Sequence, residues 1–119
     1  MDVVHSDRTR LVEAMVEAYK ALDLDRTLSY YAESVVVVDA EGALVGSGKA
    51  ALRESMAKVF ADNPELRADV PVAIAVGDWV CIHSIVDNWA HGDGTRGPME
   101  WIELLQVAGG KITRLQLFS

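Results

Sequence analysis

The pattern of apolar and polar residues changes its period near Pro64. Before that point, apolar residues recur at helical spacing in two long segments, residues 6–22 and 48–63. After it, apolar residues fill extended segments that are separated by turns containing glycine. The pattern therefore predicts helices in the first half of the chain and an antiparallel sheet in the second half.

The two long helices have recognisable ends. Ser6 or Asp7 can cap the first helix, and Ser47 can cap the second, which ends where Asn63 precedes Pro64. The apolar stripe of the first helix consists of Leu11, Met15, Tyr19 and Leu22. The corresponding residues of the second are Leu52, Met56, Val59 and Phe60.

A short helix and two strands are predicted between them. Asp23 or Asp25 caps the short helix, which carries Leu28 and Tyr31 and ends near Ser34. The four valines that follow are β-branched and too few for a buried helix, so they predict a strand. A Glu-Gly turn leads into a second short strand at residues 43–45.

Four antiparallel strands are predicted after Pro64. Gly77-Asp78 divides the first pair, residues 91–98 separate the second and third strands, and Gly109-Gly110 forms a tight hairpin before the last strand. The predicted order is helix, helix, strand, strand, helix and four strands. Because helices and strands are segregated along the chain, the fold class is α+β.

Length and charge restrict the possible functions. At 119 residues, the chain is expected to form a single domain over residues 1–119. The net charge of -7 repels phosphate backbones and anionic lipid headgroups, so neither nucleic acid nor a membrane is an expected partner. No apolar run is long enough for a membrane span and the start lacks a secretory signal pattern, which predicts a cytoplasmic location.

Metal and dinucleotide sites are not expected. Cys81 is the only cysteine, which excludes cysteine-rich zinc sites. His83, Asp87 and His91 share one strand face, but four strand residues span about 13 Å, whereas the bonds to one zinc ion are about 2 Å long. The segment 92–97 matches G-x-G-x-x-G, but a strand follows it instead of the helix that would hold a pyrophosphate.

Strand alternation divides the second half of the chain into two faces. One face is predicted to carry Trp79, Cys81, His83, Ile85, Asp87, Trp89, His91, Met99, Trp101, Glu103, Leu105, Val107 and Leu115. Large aromatic side chains with a few polar groups are typical of a concave pocket. The opposite face is apolar, and because the three helices are expected on the pocket face, it predicts a homodimer through the sheet. Its residues are Val80, Ile82, Val86, Ile102 and Leu104.

With this order of elements, and with "YYAESVVVVDAEG" after a "DLD" turn and "GGKITRLQLF" in the last strands, the sequence resembles the nuclear transport factor 2 superfamily. More narrowly, it is similar to the SnoaL-like polyketide cyclase and ketosteroid isomerase branch. The resemblance covers nearly the whole chain and implies a cone-shaped α+β barrel, in which three helices pack on a curved sheet around a pocket. The superfamily contains isomerases, cyclases, epoxide hydrolases and binding domains without catalysis, so the resemblance leaves the activity open.

The resemblance also implies roles for three residues. Asp39 falls at the isomerase position for the general base, where apolar walls would raise its pKa. Glu103 falls where SnoaL-like cyclases carry an acidic general acid/base or, with one residue gapped, where the isomerase has its protonated aspartic acid. The position of the isomerase's oxyanion tyrosine is Met15 here, and Tyr19 lies one helical turn away.

Each candidate residue also has a structural interpretation. Asp39 can simply begin the Glu41-Gly42 turn. Glu103 can form a structural ion pair, and His83, expected beside Glu103 on the neighbouring strand, can be a buried histidine with a satisfied hydrogen bond. Asp87 can be a solvated residue instead of part of the pocket mouth. The aromatic side chains that can pack in the core instead are Tyr19, Tyr30, Tyr31, Trp89 and Trp101.

The leading hypothesis is an enzyme without a cofactor that acts on a small apolar organic ligand, such as a cyclic ketone, a polyketide or a terpenoid. Asp39, Glu103 and His83 would transfer protons, or would activate water in a hydrolase. The predicted substrate contacts are Asp87, Trp89, Trp101, Tyr19, Tyr31, Met15 and Leu115. The alternative is a dimeric binding or interaction domain without catalysis, which is favoured if the three catalytic candidates do not meet in one cavity.

Overall fold

The computed structural model describes residues 7–119, which form three helices and one six-stranded sheet. The helices are α1 (Asp7–Lys20), α2 (Leu24–Leu28) and α3 (Lys49–Asp62). The strands are β1 (Tyr31–Val38), β2 (Leu44–Ser47), β3 (Ala68–Val76), β4 (Trp79–Ala90), β5 (Arg96–Ala108) and β6 (Lys111–Phe118). This order confirms the predicted α+β arrangement. None of the described helices combines the length and the apolar character needed to cross a membrane.

The sheet order is β2-β1-β6-β5-β4-β3. Strands β3 to β6 pair antiparallel in sequence order, and β6 also pairs with β1, in parallel. The predicted tight hairpin joins β5 to β6 at Gly109 and Gly110, whose φ angles are 59° and 75°. Two consecutive positive φ angles belong to a type I′ turn, which glycine adopts without steric cost.

The hydrophobic core lies between the helices and one face of the sheet. Val12 and Met15 of α1, together with Leu52 of α3, pack against sheet residues such as Val80 and Leu105, all of them buried. The opposite sheet face has no covering layer within residues 7–119, and it leaves Ile85 and Ile102 38% and 43% exposed. The helices therefore cover one face of the sheet, where a cavity can form.

The first two helices end earlier than predicted. Leu22 follows α1 with a φ of 57°, and the N–H groups of Leu22 and Asp23 donate to the carbonyls of Tyr19 and Ala18. This is a Schellman ending, so placing Leu22 on the helical stripe was wrong. Asp23 caps α2, which stops at Leu28. Tyr31 begins β1, so the prediction that it belongs to the short helix was wrong as well.

The cap of α3 also differs from the prediction. The N-cap is Gly48, with a φ of 90° and no side-chain hydrogen bond, while Ser47 is the last residue of β2 and pairs with Val36. Asn63 ends the helix as predicted. The predicted cap at Ser6 lies outside the described residues.

The two faces of β4 are reversed relative to the prediction over most of the strand. Ile82 lies opposite Glu103 and His83 lies opposite Ile102, and directly opposed residues of an antiparallel pair share a face. Val80, Ile82 and Val86 are 0%, 2% and 0% exposed, so assigning these three to an outer dimer face was wrong. The strand is apolar on both faces, so alternation alone could not identify the inner one. Ile102 and Leu104 do lie on the outer face, and the homodimer stays a prediction.

Candidate functional site

A cavity of about 310 Å³ lies between α1, α3 and the concave face of the sheet. Its wall is mostly aliphatic and aromatic, and helix α3 contributes Leu52, Met56 and Val59. Six of the seven predicted substrate contacts belong to this wall, namely Met15, Tyr19, Tyr31, Trp89, Trp101 and Leu115. The size and apolar character fit a small organic molecule.

Glu103 is the one carboxylate side chain of the described residues in the cavity wall. Strand β5 places it between Ile82 of β4 and Leu117 of β6 on the inner face of the sheet. Its carboxylate accepts a hydrogen bond of 2.6 Å from the indole N–H of Trp101. Burial raises the pKa of Glu103, and this hydrogen bond opposes the rise because it stabilises the ionised form.

Two tyrosine side chains share the cavity with Glu103. Burial raises the pKa of both Tyr19 and Tyr31, and the negative charge of Glu103 raises them further. Both hydroxyls therefore remain protonated and able to donate a hydrogen bond at any ordinary pH. Tyr19 also packs edge-on against Phe60, with ring centroids 5.2 Å apart, which fixes its position on α1.

Trp89 and Trp101 lie in contact in the cavity wall, with ring centroids 5.4 Å apart and an angle of 58° between the rings. Trp101 points inward, as the alternation along β5 requires. On β4, the side chains that point inward up to Val86 are every second residue, including Ser84 and Val86. Trp89 would point outward if this alternation continued, but it lines the cavity. The pairing of β4 with β5 shifts between Val86 and Trp89, which explains this change. The tryptophan pair gives the cavity a broad aromatic surface.

Asp39 does not line the cavity. It follows β1, and its carboxylate accepts hydrogen bonds from the backbone N–H groups of Glu41 and Ala43 at 3.0 and 2.9 Å. The N–H of Gly42 donates to the carbonyl of Asp39 at 3.0 Å. The carboxylate at the end of the valine strand therefore forms a turn, and the expectation that it faces the cavity was wrong because these backbone donors hold it outside.

His83 and Asp87 lie away from the cavity as well. His83 is on the outer face of the sheet, 2.9 Å from the carboxylate of Glu100, so the expected pairing with Glu103 was wrong. Asp87 forms an exposed ion pair of 3.2 Å with Arg67. The three catalytic candidates therefore do not meet in one cavity, and only Glu103 lies there.

The prediction missed several wall residues, two of them because it placed the wrong set of alternate β4 side chains on the inner face. Ile82 and Ser84 line the cavity opposite Glu103 and Trp101, and Ser55 contributes a further hydroxyl from α3. No local signal in β4 could have identified Ile82 and Ser84, because apolar residues occupy both faces of the strand. Within residues 7–119, no three histidine, cysteine or acidic side chains are grouped so that they could hold a metal ion.

Comparisons with known proteins agree with this architecture. The profile of the SnoaL-like domain family matches residues 12–115. A comparison with curated proteins gives no significant match. An uncharacterised cystatin-fold protein from Novosphingobium aromaticivorans is similar over 97% of this chain and 100% of its own, at 25% identity and a TM-score of 0.84.

Two further solved structures share the fold at lower identity. A proposed polyketide cyclase from Xanthomonas campestris is 23% identical, with coverage of 95% of this chain and 90% of its own and a TM-score of 0.76. TerC, crystallised with polyporic acid, is 23% identical, with coverage of 96% and 92% and a TM-score of 0.76. At such identities the likeness concerns the fold.

Proposed function

Because the chain belongs to the SnoaL-like domain family, we propose that it binds a neutral, mostly apolar carbonyl compound in the cavity and transfers a proton with Glu103. The fold is of the type found in small-molecule cyclases and isomerases. The observation that carries the proposal is Glu103 itself, a carboxylate in the wall of an apolar cavity that is also lined by the protonated Tyr19 and Tyr31.

Glu103 has the properties of a general base. A carboxylate with a raised pKa accepts a proton more readily than an ordinary one, and transfer is most efficient when the pKa approaches the working pH. In the proposed reaction, the ionised carboxylate removes a proton from the carbon next to the carbonyl. The electron pair of the C–H bond forms a C=C bond, and the π electron pair of the carbonyl moves onto the oxygen to give an enolate. The same carboxyl group then returns the proton. In an isomerase that acts on an unsaturated ketone, the proton goes to the far carbon of the conjugated dienolate as the double bond shifts. In a cyclase, the enolate carbon first bonds to a second carbonyl carbon of the same molecule, and the oxygen of that carbonyl takes the proton.

The negative charge that develops on the substrate oxygen needs hydrogen-bond donors. Tyr19 and Tyr31 can supply them, since burial and the charge of Glu103 keep both hydroxyls protonated. Hydroxyl donors preorganised in a cavity without bulk water stabilise such an oxyanion more than they would in water. The roles predicted for Asp39 and His83 have no place in this proposal, because both lie outside the cavity.

A ligand-binding domain without catalysis is the second candidate. It is supported by the separation of Asp39 and His83 from Glu103, which leaves one acid/base side chain where three were expected. Both candidates require the cavity to bind an apolar molecule. They differ in whether Glu103 moves a proton of the ligand.

The test uses 2-tetralone, a neutral bicyclic ketone with exchangeable protons beside its carbonyl. In D₂O, we expect the wild-type protein to accelerate replacement of these protons by deuterium, followed by NMR. Glu103→Gln keeps the shape and an acceptor for Trp101, and should lower the rate by roughly 10² or more. Tyr31→Phe, which removes one hydroxyl donor, should lower it by a similar factor.

The matched control is His83→Gln, a change on the outer face that should leave the exchange rate unchanged. Binding of 2-tetralone without accelerated exchange would leave the binding domain as the function. Equal exchange rates for wild type and Glu103→Gln would contradict the proposed role of Glu103. If 2-tetralone and larger cyclic ketones all fail to bind, the proposed ligand class is wrong.

A further inference from the structure

Strand β4 contains one residue more than β5 requires. Val86 pairs with Met99 and Trp89 pairs with Gly97, so three steps on β4 match two steps on β5. Such an insertion is a β-bulge, and it reverses the inward and outward alternation of all residues that follow. Without the bulge, Asn88 would take the inward position after Val86 and Trp89 would point outward.

The bulge is held by the side chain of Asn88. Its amide N–H donates to the carbonyl of Glu65 at 2.7 Å, and its amide oxygen accepts the backbone N–H of Arg67 at 3.2 Å. Both partners belong to the segment between α3 and β3. Asn88 therefore uses its side chain to attach the bulged backbone to the neighbouring loop and is not available for the inward position.

Asn63 fixes the chain directly after Trp89. It is 2% exposed, and its amide oxygen accepts the backbone N–H of Ala90 at 2.8 Å. Its amide N–H donates to the carbonyl of Val59 at 2.9 Å, and Arg96 donates to the carbonyl of Asp62 at 2.7 Å. The end of α3, a helix that lines the cavity, is thus tied to β4 directly after Trp89 and to the start of β5, while the loop after α3 holds β4 directly before Trp89.

We propose that Asn63 and Asn88 are positioning residues that hold this bulge in place, and so turn Trp89 into the cavity against Trp101. The inference rests on the proposed ligand-binding cavity, and it adds the residues that set the ligand shape the cavity accepts. They act through Trp89 and touch no ligand themselves. Their effect on ligand binding is therefore absent when Trp89 is absent.

The contact between Trp89 and Trp101 provides a readout that needs no ligand. Two indole rings 5.4 Å apart at an angle of 58° couple their electronic transitions, which gives paired bands of opposite sign in circular dichroism. We expect Asn88→Ala and Asn63→Ala to lose most of this signal, as Trp89→Ala does completely. Asp87→Ala is the matched control, because it removes only the exposed ion pair with Arg67 at the same bulge.

Binding of 2-naphthol, a neutral aromatic probe, provides the second readout. Asn88→Ala should weaken its binding by roughly five- to thirtyfold, the effect of one or two lost hydrogen bonds. In a double-mutant cycle, Asn88→Ala should have no further effect in the Trp89→Ala background. A merely structural role would weaken binding equally in both backgrounds.

The outcomes separate this proposal from the proposed function. Full retention of the coupled signal in folded Asn88→Ala and Asn63→Ala proteins would overturn the positioning role. If Asn63→Ala does not fold, Asn88→Ala decides, since its side chain lies nearer the surface. If the wild-type protein binds no aromatic probe, the ligand proposal fails, while the circular dichroism signal still tests the bulge.

Discussion

Replacing Trp101 with phenylalanine removes the one hydrogen bond that the Glu103 carboxylate accepts among residues 7–119. The 2.6 Å bond from the indole N–H opposes the rise in the pKa of Glu103, so its loss raises that pKa further. Hydrogen bonds to charged groups contribute about 1.5–3 kcal/mol. At 1.36 kcal/mol for each factor of ten, the proton affinity of the carboxylate rises roughly 10- to 150-fold.

The sign of the effect on stability follows from linkage. Because the pKa of Glu103 is higher in the folded than in the unfolded protein, the neutral acid favours folding. Its contribution to the free energy of unfolding is fully present below the unfolded pKa, and it is lost as the pH rises through the folded pKa. In Trp101→Phe, this loss should be larger by about 1.5–3 kcal/mol and should extend to higher pH.

Urea unfolding between about pH 4 and pH 9 measures this dependence. Four proteins form a double-mutant cycle: wild type, Trp101→Phe, Glu103→Gln and the double variant. The effect of Trp101→Phe is compared with and without the Glu103 carboxyl group, so the contributions of other titrating groups to the pH dependence cancel. The smaller phenylalanine ring also lowers stability, but equally at every pH. If wild type and Trp101→Phe lose stability over the same pH range and by the same amount, the hydrogen bond does not control the ionisation of Glu103.

Two other predictions concern residues outside the cavity. Asp39→Ala removes an acceptor of two turn hydrogen bonds and should lower the free energy of unfolding by about 1–2 kcal/mol. The rate at which it exchanges the protons of 2-tetralone should be unchanged. A loss of exchange without a loss of stability would contradict this and indicate that Asp39 contributes to the site. Ile102→Lys places a charge on the uncovered sheet face and should shift the predicted homodimer to monomer in sedimentation. Val45→Lys, at an exposed residue of β2, is the control, and equal sedimentation of both variants would contradict a dimer through this face.

The order of helices and strands was predictable because each element has a strong local pattern. The hairpin at Gly109-Gly110 and the end of α3 at Asn63 depend on neighbouring residues alone. Strand β5 was assigned to the correct face, because Glu103 alternates in step with Trp101 and Leu105, whereas the other set of alternate residues contains the polar Glu100 and Gln106. This placed Glu103 in the cavity from the sequence.

The remaining errors arise from tertiary contacts. Both faces of β4 carry apolar residues. Its pairing with β5 and the covering helices are therefore needed to show that Ile82 faces inward and His83 faces outward. The bulge depends on Asn63, which is distant in sequence from Trp89. Asp39 is the exception, because its two turn donors lie within four residues and the local pattern already allowed the turn as an alternative to a cavity position.

The position of β6 in the sheet determines how the domain assembles. Because β6 lies between β1 and β5, residues 111–118 connect the β1–β2 pair to the three strands β3 to β5. A growing polypeptide that has not yet added β6 has two separate half-sheets, each with an unpaired edge open to association with other chains. The parallel pairing of β1 with β6 closes a loop of roughly 80 residues, and such distant pairing makes folding slow. The cavity is therefore complete only once β6 has paired, and shortening β6 would both leave the edges of β1 and β5 unpaired and remove wall residues such as Leu115 from the cavity.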